Sequence, residues 1–312
     1  MSGFKVIQPG MLSLIQDLGR FGAHNLGLTH GGPLDRLAYD WANRLMGNDK
    51  NASCLEISFG GLALEAEVDT AFAITGAELP CTIDGSSIAQ WQTHSIKKGN
   101  KLEFGYTVSG TRAYLSVAGG FDIPHSFGSS STVVREKIGG IHGDKLQPGD
   151  RLACQPLSIA SHQLLAKHHR PQYSSSAILR VVPGYQQHAF DPTQHWRFFN
   201  SEYQVTERSD RMGFRLEGDT IISTITGMLS EGICHGAIQI PADGQPIVLM
   251  NDRQTIGGYP KIGSVIPIDT ARLAQLGPGS TVHFEAISLE HAHNLYWLEK
   301  SRFERTRLEK CR

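Results

Sequence analysis

Apolar and polar positions alternate in short runs along most of this chain, and glycine or proline interrupts them every few residues. Such spacing suits strands better than helices. Ala71–Thr75, Lys101–Phe104, Ala113–Val117, Ile178–Val182 and Thr281–Phe284 all read as strands. Helical patterns are few. The clearest starts at Pro33, a favoured first helical residue, and places Leu37, Ala38, Trp41, Ala42, Leu45 and Met46 on one face before Gly47 caps it. A second helix is expected after Ser288, with Leu289, Ala292, Leu295, Tyr296 and Trp297 in its first half. From Glu299 to Arg312 it turns strongly charged and reads as a solvated end. The chain is therefore expected to be mainly β.

The pattern contains an internal echo. Arg112–Pro124 runs from an apolar strand into Gly119-Gly120-Phe121 and then proline, and a later strand runs into Gly257-Gly258-Tyr259-Pro260. Downstream of each lies a turn before a strand, Gln147-Pro-Gly-Asp150 in one case and Gly277-Pro-Gly-Ser280 in the other. Two related β domains in tandem would produce this recurrence, although Pro-Gly turns also recur by chance in a chain with 34 glycines. The His- and Ser-rich stretch from Ser158 to Ser176 reads as the linker. The resulting division is 1–165, 177–290 and a charged helix at 291–312.

Composition narrows the function. A chain of 312 residues can hold two domains, and 29 Lys plus Arg nearly cancel 30 Asp plus Glu. No net field draws it to nucleic acid or to an anionic membrane. Its five cysteines are dispersed without a Cys-x-x-Cys pair, which fits reduced thiols in a cytoplasm. Neither a signal core nor a membrane span is expected. There is no Gly-Lys-Ser/Thr phosphate loop, no Gly-x-Ser-x-Gly elbow and no His-Glu-x-x-His pair.

The densest chemistry lies at 244–260. The apolar strand Ile247–Met250 runs directly into Asn251-Asp252-Arg253-Gln254-Thr255, and the glycines that follow let backbone approach a ligand closely. Just upstream, Glu231, His235 and Gln239 lie between glycines; Glu231 suits an acid, base or orienting role wherever it faces a cleft. His235 alone reads as a turn histidine. In Ser209–Arg215, Arg211 and Arg215 offer paired N–H groups to a carboxylate or phosphate, and Asp210 with Arg211 alternatively forms a surface turn pair. The helix start after His30-Gly31-Gly32 offers N–H groups to an anion, with Asp35 as a first-turn acid. His291 and His293 have too few neighbours to argue for a metal.

Several blocks recur in a family's order: Gln16-Asp-Leu-Gly-Arg20, Gly32-Pro-Leu-Asp35, Ala42-Asn-Arg-Leu45, Leu55-Glu-Ile57, Ser209-Asp-Arg-Met-Gly213, Gln245–Met250 and Thr255 through Gly257-Gly-Tyr-Pro260. With them the chain resembles the C subunits of bacterial ATP-dependent 5-oxoprolinases, also known as allophanate hydrolase subunit 2 or biotin-dependent carboxyltransferase family proteins. It is similar too to the kinase-inhibitor antagonist of sporulating bacteria and to part of the carboxyltransferase domain of urea amidolyase. The resemblance implies two tandem cyclophilin-like β-barrel domains. It also implies a heteromeric enzyme completed by the 5-oxoprolinase A and B subunits, of which the B type is kinase-inhibitor-like. That enzyme opens 5-oxo-L-proline to L-glutamate while hydrolysing ATP, with Mg²⁺, at the level of the complex. Biotin is not expected on this chain, which has no biotinyl Met-Lys motif. Within this frame Asp252, Arg253 and Glu231 are the expected catalytic residues. Arg211, Gln239, Tyr259, Gly257 and Gly258 are expected to bind substrate, and no metal is assigned. A carboxyltransferase module and a non-catalytic regulatory binder are the alternatives.

Overall fold

The computed structural model describes residues 2–225 and 227–311, and the chain is mainly β. Its contacts divide into two compact units. The first comprises residues 2–22, Gly31–Tyr173 and 306–311; the second comprises Ala23–His30 and Ser174–Arg305. Neither the short early segment of the second unit nor the late segment of the first follows from a linear division.

Two large sheets form the body of the first unit. One orders its strands Arg151–Ala153, Gly3–Pro9, Leu62–Ala66, Lys101–Phe104, Cys81–Ile83 and Ser86–Ser87. The other orders Leu12–Gln16, Cys54–Ser58, Ser109–Val117, Thr70–Glu78 and Thr93–Ile96. Phe4, Val6, Leu64 and Leu102 from the first sheet share one buried core with Ile15, Leu55, Phe72 and Leu115 from the second. Each such side chain stabilises the unit by about 1.5–3 kcal/mol through burial.

The helix expected from Pro33 starts at Arg36 and ends at Met46, with Gly47 in the left-handed region as its cap. Residues 34 and 35 are held elsewhere: Leu34 N–H donates to Glu56 Oε2 at 2.9 Å, and Asp35 N–H donates to the Tyr114 hydroxyl at 2.8 Å. Asp35 is the N-cap, its side chain accepting from Ala38 N–H at 3.0 Å. Three of the N–H groups expected to receive an outside anion, those of Leu34, Asp35 and Ala38, therefore already have acceptors within the unit, and for them that expectation is corrected.

The second unit closes a seven-stranded barrel. Its order is Ser176–Pro183, Lys261–Val265, Ala237–Gln239, Ile247–Leu249, Gly213–Gly218, Tyr203–Val205 and Thr281–Ala286. The last strand runs parallel to the first and the remaining pairs are antiparallel, so no edge is left open. Phe198, on the helix Pro192–Asn200, stacks 4.4 Å from the ring of Phe284. The expected C-terminal helix spans Leu289–Arg305 and stops there. Glu309–Lys310 pairs as a strand with Gln163–Leu164 instead. Most of the stretch expected as a linker, through Tyr173, is thus part of the first unit, anchored by buried Leu165 and Ala166.

The echo has two parts with different physical meaning. Both Pro-Gly turns are the same structure. Gly149 (φ 92°) and Gly279 (φ 80°) occupy the left-handed position, and Asp150 and Ser280 N–H each donate back three residues at 3.1 Å. Each glycine N–H then bonds a valine carbonyl, Val6 in the first unit and Val205 in the second, at 2.8 Å. The valine N–H returns the bond to Asp150 or Ser280 at 2.8 and 2.9 Å. The Gly-Gly pairs, in contrast, differ: Gly119 and Gly120 are left-handed, whereas neither Gly257 nor Gly258 is.

Candidate functional site

Antiparallel pairing of Gly213–Gly218 with Ile247–Leu249 puts the residues preceding one strand beside those following the other. Backbone bonds extend the pairing, with Met250 N–H to Met212 O at 2.9 Å and Asp252 N–H to Arg211 O at 3.0 Å. Arg211 consequently grips Asp252 in a two-pronged bond, Nε to Oδ2 at 2.9 Å and Nη2 to Oδ1 at 3.0 Å, and each residue is only 6% exposed. Asp210 is not Arg211's partner. Its Oδ1 accepts from Met212 and Gly213 N–H and shapes the turn. The polar run at the strand end therefore begins with a buried, mutually neutralised pair.

Arg253 differs. It is 8% exposed, and its guanidinium donates to two carbonyls, Nε to Ile233 O at 3.3 Å and Nη1 to Met250 O at 3.2 Å. Among the described residues no carboxylate lies within ion-pair distance of it. Burial draws its pKa below the usual guanidinium range. Next to it, His235 is pushed down to about 4, by burial first and then by the Arg253 charge, while a bond with Asn251 offsets part of the effect. His235 is therefore neutral near pH 7, and its Nε2 is buried without a hydrogen-bond partner.

A second charge centre surrounds Glu231. The short strand Glu231–Gly232 pairs with Ile256–Gly257, so Glu231 lies opposite Gly257. Glu231 Oε1 accepts from the Lys261 ammonium, from the Tyr185 hydroxyl and from Gln186 Nε2 at 2.7 Å. Gln186 Oε1 in turn accepts from Lys261 N–H at 2.8 Å. Lys261, 7% exposed, starts the strand that pairs with Ala237–Gln239, and its register partner is Gln239. The Lys261 ammonium first, and then the Tyr185 hydroxyl, holds the Glu231 carboxyl below the ordinary carboxylate range. Sharing that carboxylate raises the Tyr185 phenol above its ordinary range. Glu231 is thus ionised at neutral pH, with an ammonium and a phenol as adjacent proton donors.

Gly257 joins the two centres. A Cβ there would lie 2.5 Å from Ile233 Cδ1 and 2.8 Å from Gln239 Nε2, and the Ile233 carbonyl is the one Arg253 holds. Gln239 is 1% exposed, and its Nε2 has no hydrogen-bond partner. Gly258 lies against the Met228 carbonyl, 3.0 Å from where a Cβ would stand. Tyr259 is half-exposed. Of the residues expected from the sequence, Glu231, Gln239, Gly257 and Arg253 come together, while Arg211 and Asp252 engage each other. Sequence reasoning missed Tyr185, Gln186 and Lys261. Only Lys261 left a signal, a lysine opening the otherwise apolar strand Lys-Ile-Gly-Ser-Val directly after Pro260.

The model of the family "Carboxyltransferase domain, subdomain A and B" matches residues 26–286 of this chain. The chain belongs to that family. Two relatives of this carboxyltransferase-domain protein are named as C subunits of 5-oxoprolinase. The Escherichia coli protein is 40% identical over 92% of each chain, and the Haemophilus influenzae protein is 38% identical over 90% of each. The urea amidolyase of Saccharomyces cerevisiae is 29% identical over 94% of this chain but only 17% of its own length. The crystal structure of Kluyveromyces lactis urea carboxylase matches with a TM-score of 0.90 at 29% identity, covering 96% of this chain and 29% of that one. Among the described residues no helix is long and apolar enough to cross a membrane, and no group of three or more His, Cys, Asp or Glu residues is arranged to hold a metal.

Proposed function

We propose that this family member is the C-type component of an ATP-dependent 5-oxoprolinase in the cytoplasm, acting with a kinase-inhibitor-like B component and a third, A-type component. The observation that carries the reading is its likeness, along nearly the whole of both chains, to two proteins named for that role. The barrel cluster supplies chemistry suited to the substrate. 5-Oxo-L-proline is a monoanion whose carboxylate stands beside a five-membered lactam. Arg253, a buried guanidinium held only by carbonyls, suits the carboxylate. Amide resonance makes the lactam carbonyl a poor electrophile, and phosphorylation of its oxygen by ATP leaves an imidate-like carbon open to water. As water adds and the C–N bond breaks, the departing nitrogen needs a proton and the attacking water must lose one; the acyl phosphate left behind is cleaved by a second water, which releases phosphate and the free carboxylate. Glu231 accepts a proton and Lys261 or Tyr185 returns one, with their mutual hydrogen bonds holding the three in register.

Asp252 takes a positioning role, since both its oxygens are engaged by Arg211. Asp252 does not fit Mg²⁺, which prefers open oxygens. Asp252 receives a guanidinium on both oxygens, and Glu231 receives three donors on Oε1. In this reading ATP and Mg²⁺ are assigned to the complex as a whole. Replacing Glu231 with Gln, which keeps the shape and most hydrogen bonds, should lower glutamate formation by the reconstituted complex by roughly 10²–10⁴-fold. Turnover within a few-fold of wild type would remove Glu231 from the reaction.

The family model and the urea carboxylase likeness favour a second reading, carboxyl transfer to a urea-type nitrogen. Transfer of labelled carboxyl from carboxybiotin to urea, in the absence of ATP-dependent glutamate release, would select it.

A further inference from the structure

We infer that Arg253, His235 and Gln239 form a recognition site for one carboxylate group, with His235 as a neutral donor that sets its selectivity. The inference rests on placing the active site at this end of the barrel. Buried charges are ordinarily paired, and buried N–H groups ordinarily bonded. Here a buried guanidinium has only carbonyl partners, and two buried side-chain nitrogens nearby, His235 Nε2 and Gln239 Nε2, have none. The groups share neighbours: Arg253 holds the Ile233 carbonyl, a Cβ at Gly257 would meet both Ile233 Cδ1 and Gln239 Nε2, and the His235 ring lies within reach of the Arg253 charge. One ligand bearing several acceptor oxygens would satisfy them together.

The charge count selects the ligand class. Lys261 is committed to Glu231 and Arg211 to Asp252, which leaves one positive charge and two uncharged groups. That set matches a monoanionic carboxylate, whereas a dianionic phosphate would bring an uncompensated charge into a buried site. Arg253 and His30 are the charged or titratable groups that bear on His235 to keep it uncharged, and the Asn251 amide contacts the ring. In the Nε2–H tautomer His235 can donate to a carboxylate without adding a second cation. Once a carboxylate offsets Arg253, the same ring holds a proton more readily. The carboxylate can come from 5-oxo-L-proline or from bicarbonate.

The test is calorimetric titration of the full chain, alone and with the other components of the complex, using 5-oxo-L-proline, its uncharged carboxamide analogue and bicarbonate. The expected result is binding of 5-oxo-L-proline, bicarbonate or both. The carboxamide should bind roughly tenfold or more weakly than 5-oxo-L-proline. Arg253→Gln should abolish carboxylate binding. His235→Leu should weaken it roughly tenfold, and His235→Gln should restore most of it. The NMR titration midpoint of His235 should rise when the carboxylate is added, which a purely structural histidine would not show. Bicarbonate binding alone keeps the inference and shifts the reaction to carboxyl transfer. Equal binding of acid and amide, or no carboxylate binding by the folded chain in either state, overturns it. The two failures separate in a glutamate assay of the complex. Arg253→Gln that still turns over would move the active site elsewhere, whereas lost turnover without any carboxylate preference would refute only the recognition site.

Discussion

Arg211 and Arg253 show how similar residues near one strand end take opposite roles. Arg211 and Asp252 form a buried pair, and removing one partner leaves the other charge stranded. Asp252→Ala should therefore destabilise the second unit by about 3–5 kcal/mol, read as a lowered midpoint in denaturant unfolding. Arg253→Gln deletes a buried charge that no acid compensates, so it should leave that midpoint unchanged or raise it while abolishing turnover. An Arg253→Gln protein that unfolds as readily as Asp252→Ala would show that Arg253 is structural. His235 adds a pH dependence with a definite sign. Its folded pKa of about 4 lies below the usual value near 6.5, so the unfolded chain takes up a proton there first. Its favourable contribution is complete above pH 6.5 and declines as pH falls toward 4, by about 3 kcal/mol in all. His235→Leu should flatten that part of the stability profile, and an unchanged acid limb would contradict the burial of a neutral ring.

At the level of elements, strands were legible because each carries its own period. All five segments read as strands lie within observed strands, since β-branched and aromatic residues between turn formers leave few alternatives. Helix starts were less legible. Pro33 offered a local signal, but tertiary bonds from Glu56 and Tyr114 hold the next two residues outside the helix. The Gly-Gly echo misled for a related reason. Gly119 and Gly120 meet a backbone requirement, whereas Gly257 meets a packing one, and sequence does not distinguish the two. The difference is measurable. At Gly279 an added Cβ meets nothing within 4 Å, so Gly279→Ala should cost about 1 kcal/mol of stability through its left-handed backbone alone and leave kcat/KM intact. Gly257→Ala would press on Gln239 and Ile233 and should raise KM for 5-oxo-L-proline. Equal effects of the two on activity would separate Gly257 from the site.

Across the molecule, the matching Pro-Gly turns are tied to Val6 or Val205 by the same two backbone bonds, the physical content of the repeat that the sequence hinted at. The candidate site was only partly legible from that distance. Glu231, Gln239 and Arg253 could be chosen because polar residues gathered at strand ends. Lys261, Tyr185 and Gln186 could not, because barrel closure brings them to Glu231 across separations of 30 to 46 residues. The near-zero net charge leaves recognition to such local arrangements. Glutamate release from 5-oxo-L-proline with ATP and Mg²⁺, using this chain with the A-type and B-type components of the complex and then with this chain omitted, tests the central claim most directly. The account predicts glutamate in stoichiometric step with ADP only when this chain is present. Undiminished glutamate without it, or none from the complete set while carboxyl transfer to urea proceeds, would contradict it.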